Sequence, residues 1–232
     1  MIPETDIYNI ATGTKLKPGG SITYGAVNFE ADGHFIFTGD FDLQIDEVYN
    51  QKDETSDYAY EFLVKSPAGQ EAANVNITIG KLCNTVHVKG VGENGKDGEP
   101  GKQGADGGKG GDAVDAYGNG GRGADGGSGG KGERGEDGGF APKITIKYGV
   151  GEDAENAGII VLNKDDRPCD NTSFGGEGGE GGKGGTGGKG GSGGKNGNSK
   201  FAPSGKDGER GDKGDKGTTQ ENGGIKIVLL ID

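Results

Sequence analysis

The 232-residue chain has no tryptophan, one methionine, two histidines, two cysteines and seven prolines. Each shortage excludes something. Two cysteines cannot build the disulfide framework of a small secreted domain, and Cys83 and Cys169 with two histidines match no zinc-ligand spacing. Two free thiols is one reading of the pair, and a single Cys83–Cys169 disulfide in an oxidising compartment is the other. Seven prolines are too few for a triple helix stiffened by imino acids. No apolar run reaches the roughly 18 residues of a membrane span. MIPETDIYNI offers neither the basic start nor the apolar core of a secretory leader. A route out of the cell would then be lysis or dedicated export, which suits a virion component. The formal charge of -12 disfavours nucleic acid and anionic membranes as partners, since both reward a basic face.

Glycine is what the chain has in excess, with 55 residues against only 28% hydrophobic ones. The apolar residues concentrate in the first 90 positions and in short islands later. In the first region Phe35, Phe37, Phe41, Leu43 and Ile45 share one parity, as do Tyr58, Tyr60, Phe62 and Val64, and again Val75, Ile77 and Ile79. Alternation of aromatic and β-branched residues predicts half-buried strands. Asp32-Gly33 between two such runs suits a hairpin turn. Residues 1–82 therefore read as an antiparallel β-sandwich-like domain.

From Gly92 the period changes from two to three. Triplets headed by glycine fill 92–112, 120–139, 175–195 (GGEGGEGGKGGTGGKGGSGGK) and 205–217. Strand-like pieces flank them: NTVHVKG (84–90), KITIKYGV (143–150), GIIVLNK (158–164) and GIKIVLLID (224–232). The order strand, block, block, strand occurs twice, which gives two further units at 83–150 and 151–232.

Glycine at every third residue lines one edge of a three-fold polyproline II helix, and GGX lines two. Such edges serve either a collagen trimer or a bundle of polyglycine II helices bonded side by side. A flexible linker is the remaining reading. GGX, which collagen does not need, favours the bundle, with 175–195 in its interior and the mainly GXY first and fourth blocks at its margins. The expected fold class is thus mostly β plus a polyglycine II helix bundle.

Little in the sequence announces catalysis. GGKGGDAVD (107–115) matches a calcium-binding nonapeptide, but that motif works as stacked tandem copies and only one is present. His87, between Val86 and Val88, falls on the polar face of a strand. The expectation is a non-enzyme with no cofactor, catalytic residue or metal ligand. Two inserts stand out instead. AVDAYGN (113–119) and NGNSKFAPS (196–204) join consecutive blocks and carry exposed-type aromatic residues, a common binding device at loop tips. The candidate receptor contacts are Asp115, Tyr117, Asn119, Asn196, Asn198, Lys200 and Phe201.

The GGX and GXY runs joined by short variable inserts resemble the distal adhesins of T-even-type phage long tail fibres. That resemblance covers about 92–217 and implies an attachment domain, a polyglycine II sandwich, and tip loops that read a bacterial outer-membrane receptor. Here the blocks are fewer and longer, and β-strands intervene. It implies a virion or extracellular location, with virion neighbours, a surface receptor or glycan as partners, and a homo-oligomer. A filament subunit joined through strands and an ice- or polysaccharide-binding module are the competing readings.

Overall fold

The computed structural model describes residues 7–10, 14–16, 19–30, 33–50, 61–152, 154, 157–198 and 200–231. It is all-β, and the described residues contain no α-helix. The chain forms two compact units. One comprises Met1–Gly95, Asp137–Glu177 and Thr219–Asp232, and the other Lys96–Glu136 and Gly178–Thr218. The division therefore gathers strands from all along the chain into one unit and the glycine blocks into the other. It does not follow the three consecutive domains suggested by the sequence.

The β unit contains strands β1 (Ile7–Ile10), β2 (Thr14–Leu16), β3 (Gly20–Phe29), β4 (Phe35–Phe37), β5 (Phe41–Asn50), β6 (Phe62–Ser66), β7 (Asn74–Leu82), β8 (Val86–Gly92), β9 (Lys143–Val150), β10 (Ile159–Leu162), β11 (Pro168–Cys169), β12 (Thr172–Ser173) and β13 (Gly223–Leu229). One sheet has the order β1-β3-β5-β7-β9-β13-β12 and the other β11-β10-β8-β6-β4-β2. From β1 to β10 successive strands alternate between the sheets. Neighbours within a sheet are therefore two strands apart in sequence, and they pair in parallel.

This corrects the expected antiparallel sandwich. Only the two-residue strands β11 and β12 pair antiparallel. Period-two alternation specifies which face of a strand is buried and carries no information about the direction of its neighbour. The hairpin expected at Asp32-Gly33 does not form either, because β3 and β4 lie in different sheets. Asp32, Tyr58 and Tyr60 lie outside the described residues.

Between the sheets lies one core. Leu43, Ile45, Ile77, Ile79, Ile144 and Ile146 come from the first sheet, and Phe35, Phe37, Phe62, Val64, Val86 and Val88 from the second. The parallel register stacks like residues in rows, such as Leu43–Ile77–Ile146–Ile227. Phe29 meets Phe62 edge-on at 5.5 Å and Phe35 at 5.7 Å, while Phe35 and Phe62 stack at 6.2 Å. Aromatic contacts of this kind add about 0.5–1.5 kcal/mol each beyond the area they bury.

The glycine unit is built from four extended segments, 96–112, 120–136, 178–195 and 205–218, tied together by backbone bonds that recur every three residues. The second segment runs antiparallel to the first, with Gly127 N–H donating to Ala105 O (2.7 Å) and Gly130 to Lys102 O (2.7 Å). The third runs parallel to the first, through Gly101 N–H to Lys183 O and Gly104 N–H to Thr186 O (both 2.8 Å). It also runs antiparallel to the second, through Gly185 to Gly130 O, and to the fourth, which donates from Gly211 to Gly185 O (both 2.8 Å). The fourth lies parallel to the second, where Gly129 donates to Glu209 O (2.9 Å). Segments two and three thus bond three neighbours each, and one and four bond two.

The glycine rows follow from this arrangement. A Cβ on Gly184 would overlap the Gly211 carbonyl, and one on Gly185 would overlap the Lys102 carbonyl. Neither obstacle can move, since both are main chain. In the third segment both glycines of most triplets are buried while Glu180, Lys183, Thr186, Lys189 and Ser192 are exposed. The first segment carries one strict glycine row, turned to the second, where a Cβ on Gly101, Gly104 or Gly107 would strike the Gly130, Gly127 or Ala124 carbonyl.

Two outcomes test this account by chemical denaturation. Phe62→Ala, which empties a fully buried position, should cost about 3–5 kcal/mol. Gly185→Ala should lower the stability of the glycine unit measurably, whereas the adjacent Thr186→Ala should stay within about 0.5 kcal/mol of the parent. Equal effects of the last two would contradict the packing.

Candidate functional site

Both inserts of the glycine unit return the chain at the same end, and they are bonded to each other. Ala113 N–H donates to Lys195 O (2.8 Å), Gly197 N–H to Gly118 O (3.0 Å), and Gly120 N–H to the Asn196 Oδ1 (2.7 Å). A Cβ at Gly197 would overlap the Ala116 carbonyl, so glycine is required where the two inserts cross.

Each insert is also braced internally. Asp115 Oδ1 accepts the N–H groups of Tyr117 (2.9 Å) and Gly118 (2.5 Å), a turn in which the side chain substitutes for main chain. Asn196 N–H donates to Lys200 O (2.6 Å), Lys200 N–H to Asn198 Oδ1 (3.2 Å), and Phe201 bridges back to Lys195. The predicted contact residues therefore divide. Asp115, Asn196 and Asn198 use side-chain oxygens to shape the inserts. Tyr117 is 98% exposed and Phe201 68%, with Asn119 and Lys200 exposed beside them. Val114, part of the nonapeptide match but not of the predicted contact set, is fully exposed too. Fully solvated apolar side chains on braced loops are available to a partner at little ordering cost.

A second missed set lies along the segments. Glu180, Lys189 and Lys195 sit at positions of the third segment whose N–H groups face acidic side chains of the first. Asp97, Asp106 and Asp112 accept them at 2.8, 2.8 and 2.7 Å. Asp125 and Asp207 do the same for Lys206 (2.7 Å) and Gly190 (2.8 Å). The signal was the recurrence of aspartate at the third place of GXD triplets. Asp112, a residue of the nonapeptide match, is occupied in this way, with Lys109 Nζ 3.2 Å from its Oδ1.

Two polar clusters lie in the β unit. Glu47, Tyr49, Lys81 and Cys83 line a cleft of about 270 Å³. Glu47 Oε1 lies 3.2 Å from Lys81 Nζ and accepts from the Cys83 thiol at 3.4 Å. Burial opposes the charged form of Glu47, but hydrogen bonds from Tyr49, Lys81 and Cys83 outweigh it and hold the carboxyl below its usual range. Burial, then Glu47, pushes Tyr49 up to about 12 and raises the Cys83 thiol. A thiol raised in this way stays protonated near neutral pH and is a poor nucleophile. Cys83 and Cys169 are both free thiols, so no disulfide joins them.

The second cluster sits on the other sheet. His87 is not a solvated lone histidine: its Nδ1 lies 3.3 Å from Oε2 of the fully buried Glu61. The same oxygen accepts the His87 N–H at 2.5 Å. Among the described residues no group of three His, Cys, Asp or Glu side chains could hold a metal ion.

The exposed Asp112 titrates with a sign that can be checked. Its carboxyl is held below the usual range chiefly by the Lys195 N–H and then by Lys109. Its brace on the third segment is therefore complete above the ordinary carboxyl pKa and is lost as pH falls through the lowered value. Hydrogen exchange should find the Lys195 amide protected at neutral pH, less so at strongly acid pH, and unprotected in Asp112→Ala at either. Unchanged protection in that variant would exclude the brace.

Comparison with protein-family models, with curated proteins and with solved structures gave no match.

Proposed function

We propose that the protein is a non-enzymatic adhesion component of a virion, a tail-fibre or tail-tip protein that contacts a bacterial surface receptor. In this reading the β unit docks to neighbouring virion proteins and the glycine unit presents the recognition loops. The four segments are polyglycine II helices in a single-chain bundle. The three-residue recurrence of their bonds supports that, as does the period of burial along the third segment, because a polyproline II-type helix has three residues per turn.

The observation that carries the functional reading is the convergence of the two inserts. Residues 76–82 positions apart are bonded into one braced end, and it exposes Val114, Tyr117 and Phe201, whereas the segments behind it expose no large hydrophobic side chain. Aromatic side chains on rigid loops bury large area for little entropy, which is what a recognition surface uses. The ridge of the third segment sets its two hydroxyls, Thr186 and Ser192, among lysines and glutamates, and does not offer the flat hydroxyl array that an ice-binding face needs.

Labelled protein applied to a panel of whole bacterial cells tests the proposal. Saturable binding to a subset of strains is expected, weakened tenfold or more by Tyr117→Ala combined with Phe201→Ala. Binding to none of a broad panel would overturn it, as would binding that ignores both substitutions. A polyproline-type circular dichroism signal in a monomeric sample is the matching test of the helix type.

A further inference from the structure

The outer face of the second sheet carries a cavity of about 270 Å³, lined by Leu63, Lys65, Lys89, Val91 and Lys164. Phe62 and Val64 of β6 and Val88 of β8 point into the core. Leu63, Lys65, Lys89 and Val91 therefore point outward, because side chains alternate along a strand. In the parallel register Leu63 stands beside Lys89, and Lys65 beside Val91. The two aliphatic and the two cationic side chains thus occupy opposite corners of one patch. Lys164 follows two residues after Leu162, the β10 partner of Lys89, and closes the patch on that side.

Two of the three lysine ends are held in place. Lys89, whose side chain is only 12% exposed, donates from Nζ to Lys164 O (2.9 Å) and to Asp166 Oδ1 (2.6 Å). Asp166 reaches it from a braced turn that follows β10. There Asn163 Oδ1 accepts the N–H groups of Asp165 (2.9 Å) and Arg167 (3.0 Å), and Asp166 N–H donates to Asn163 O (3.2 Å). Asp166 has a φ of 58° in this turn, a left-handed conformation that aspartate adopts more readily than most residues. Lys164 Nζ is bonded to a neutral group, Gly175 O, at 2.9 Å.

Electrostatics decides what such a cavity can hold. A largely buried ammonium is costly unless opposite charge accompanies it. Three lysines around one cavity also repel one another, and none of the described lining residues is acidic. On a chain whose formal charge is -12 this cluster runs against the prevailing sign. An anion entering the cavity relieves that repulsion, and the more charge it carries the greater the relief. A short carbon body attached to it would cover Leu63 and Val91 at the same time.

We infer that this cavity binds a phosphate monoester with a small organic group. Lys65 and Lys164 contact the phosphate oxygens, and the more deeply set Lys89 adds charge beneath them. Lysine serves such sites as a compact point charge with three donors. Leu63 and Val91 receive the carbon part. The volume lies just below the roughly 300–1,000 Å³ of sites for drug-sized ligands, so the organic group is short. The site belongs to the β unit and is independent of the tip loops that carry the adhesion reading.

Calorimetric titration of the whole chain at fixed ionic strength tests this, with inorganic phosphate, glycerol 3-phosphate, acetate and glycerol as probes. Both phosphates should bind saturably, glycerol 3-phosphate several-fold the tighter, while acetate and glycerol should not. Lys65→Gln and Lys164→Gln should each weaken glycerol 3-phosphate binding about tenfold or more. Lys147→Gln, at an exposed position of the other sheet, should leave it unchanged. Failure of the wild-type chain to bind either phosphate overturns the inference, and that arm decides the matter even if a variant fails to fold. Inorganic phosphate binding as tightly as glycerol 3-phosphate overturns the monoester assignment. Acetate matching the phosphates, or an equal loss in Lys147→Gln, also overturns the inference, because either would mean general attraction to positive charge.

Discussion

Backbone hydrogen bonding between stretches remote in sequence is the constraint on which the whole protein depends. In the β unit the strands from β3 to β10 each pair with one that entered the sheet two strands earlier. In the glycine unit main-chain bonds reach partners up to 82 residues away. The two units meet the demand with different side chains. Strands tolerate any residue on their faces and ask only that one face be apolar. The glycine segments approach so closely that a whole row of Cβ atoms must be missing. Composition follows from approach distance: isoleucine, valine and phenylalanine where sheets pack, glycine where main chain meets main chain.

The glycine unit also limits itself. Its two marginal segments each keep one strict glycine row, turned inward, and carry side chains, many of them lysine, glutamate and aspartate, at most other positions. Those side chains leave no room for a fifth segment to approach as closely as the four do. Exposed pairs such as Lys213–Glu180 (3.0 Å) and Lys131–Asp215 (3.1 Å) add little stability at such a surface. Their larger effect is to keep the margins hydrated and of mixed sign.

How much of this was legible in the sequence varied with the kind of information required. The change of period at Gly92 and the strand at Lys143–Val150 could be read directly, because each depends on local spacing. The GGX rhythm of 175–195 likewise showed that two edges of that segment had to be bare. Strand direction was not legible, since Phe41, Leu43 and Ile45 would alternate in the same way beside an antiparallel neighbour. Nor was the work of Asp97, Asp106 and Asp112, whose partners are 83 residues downstream. At the tip, Tyr117 and Phe201 could be picked out as aromatic residues in polar inserts. Asp115 and Asn196 looked equivalent to them, because a carboxylate or amide that braces a loop and one that greets a partner have the same sequence signature.

The separation between bonded segments has a consequence for biosynthesis. The Gly104 N–H finds its acceptor at Thr186, 82 residues later in the chain. At roughly 5–20 residues per second the first glycine segment waits about 4–16 s on the ribosome before that partner is made. A hydrophobic segment left unpaired for so long would invite aggregation. This one is a hydrated run of glycine, lysine and carboxylate, with nothing to stick and no competing fold to fall into. The composition that lets the segment pack last also lets it wait safely.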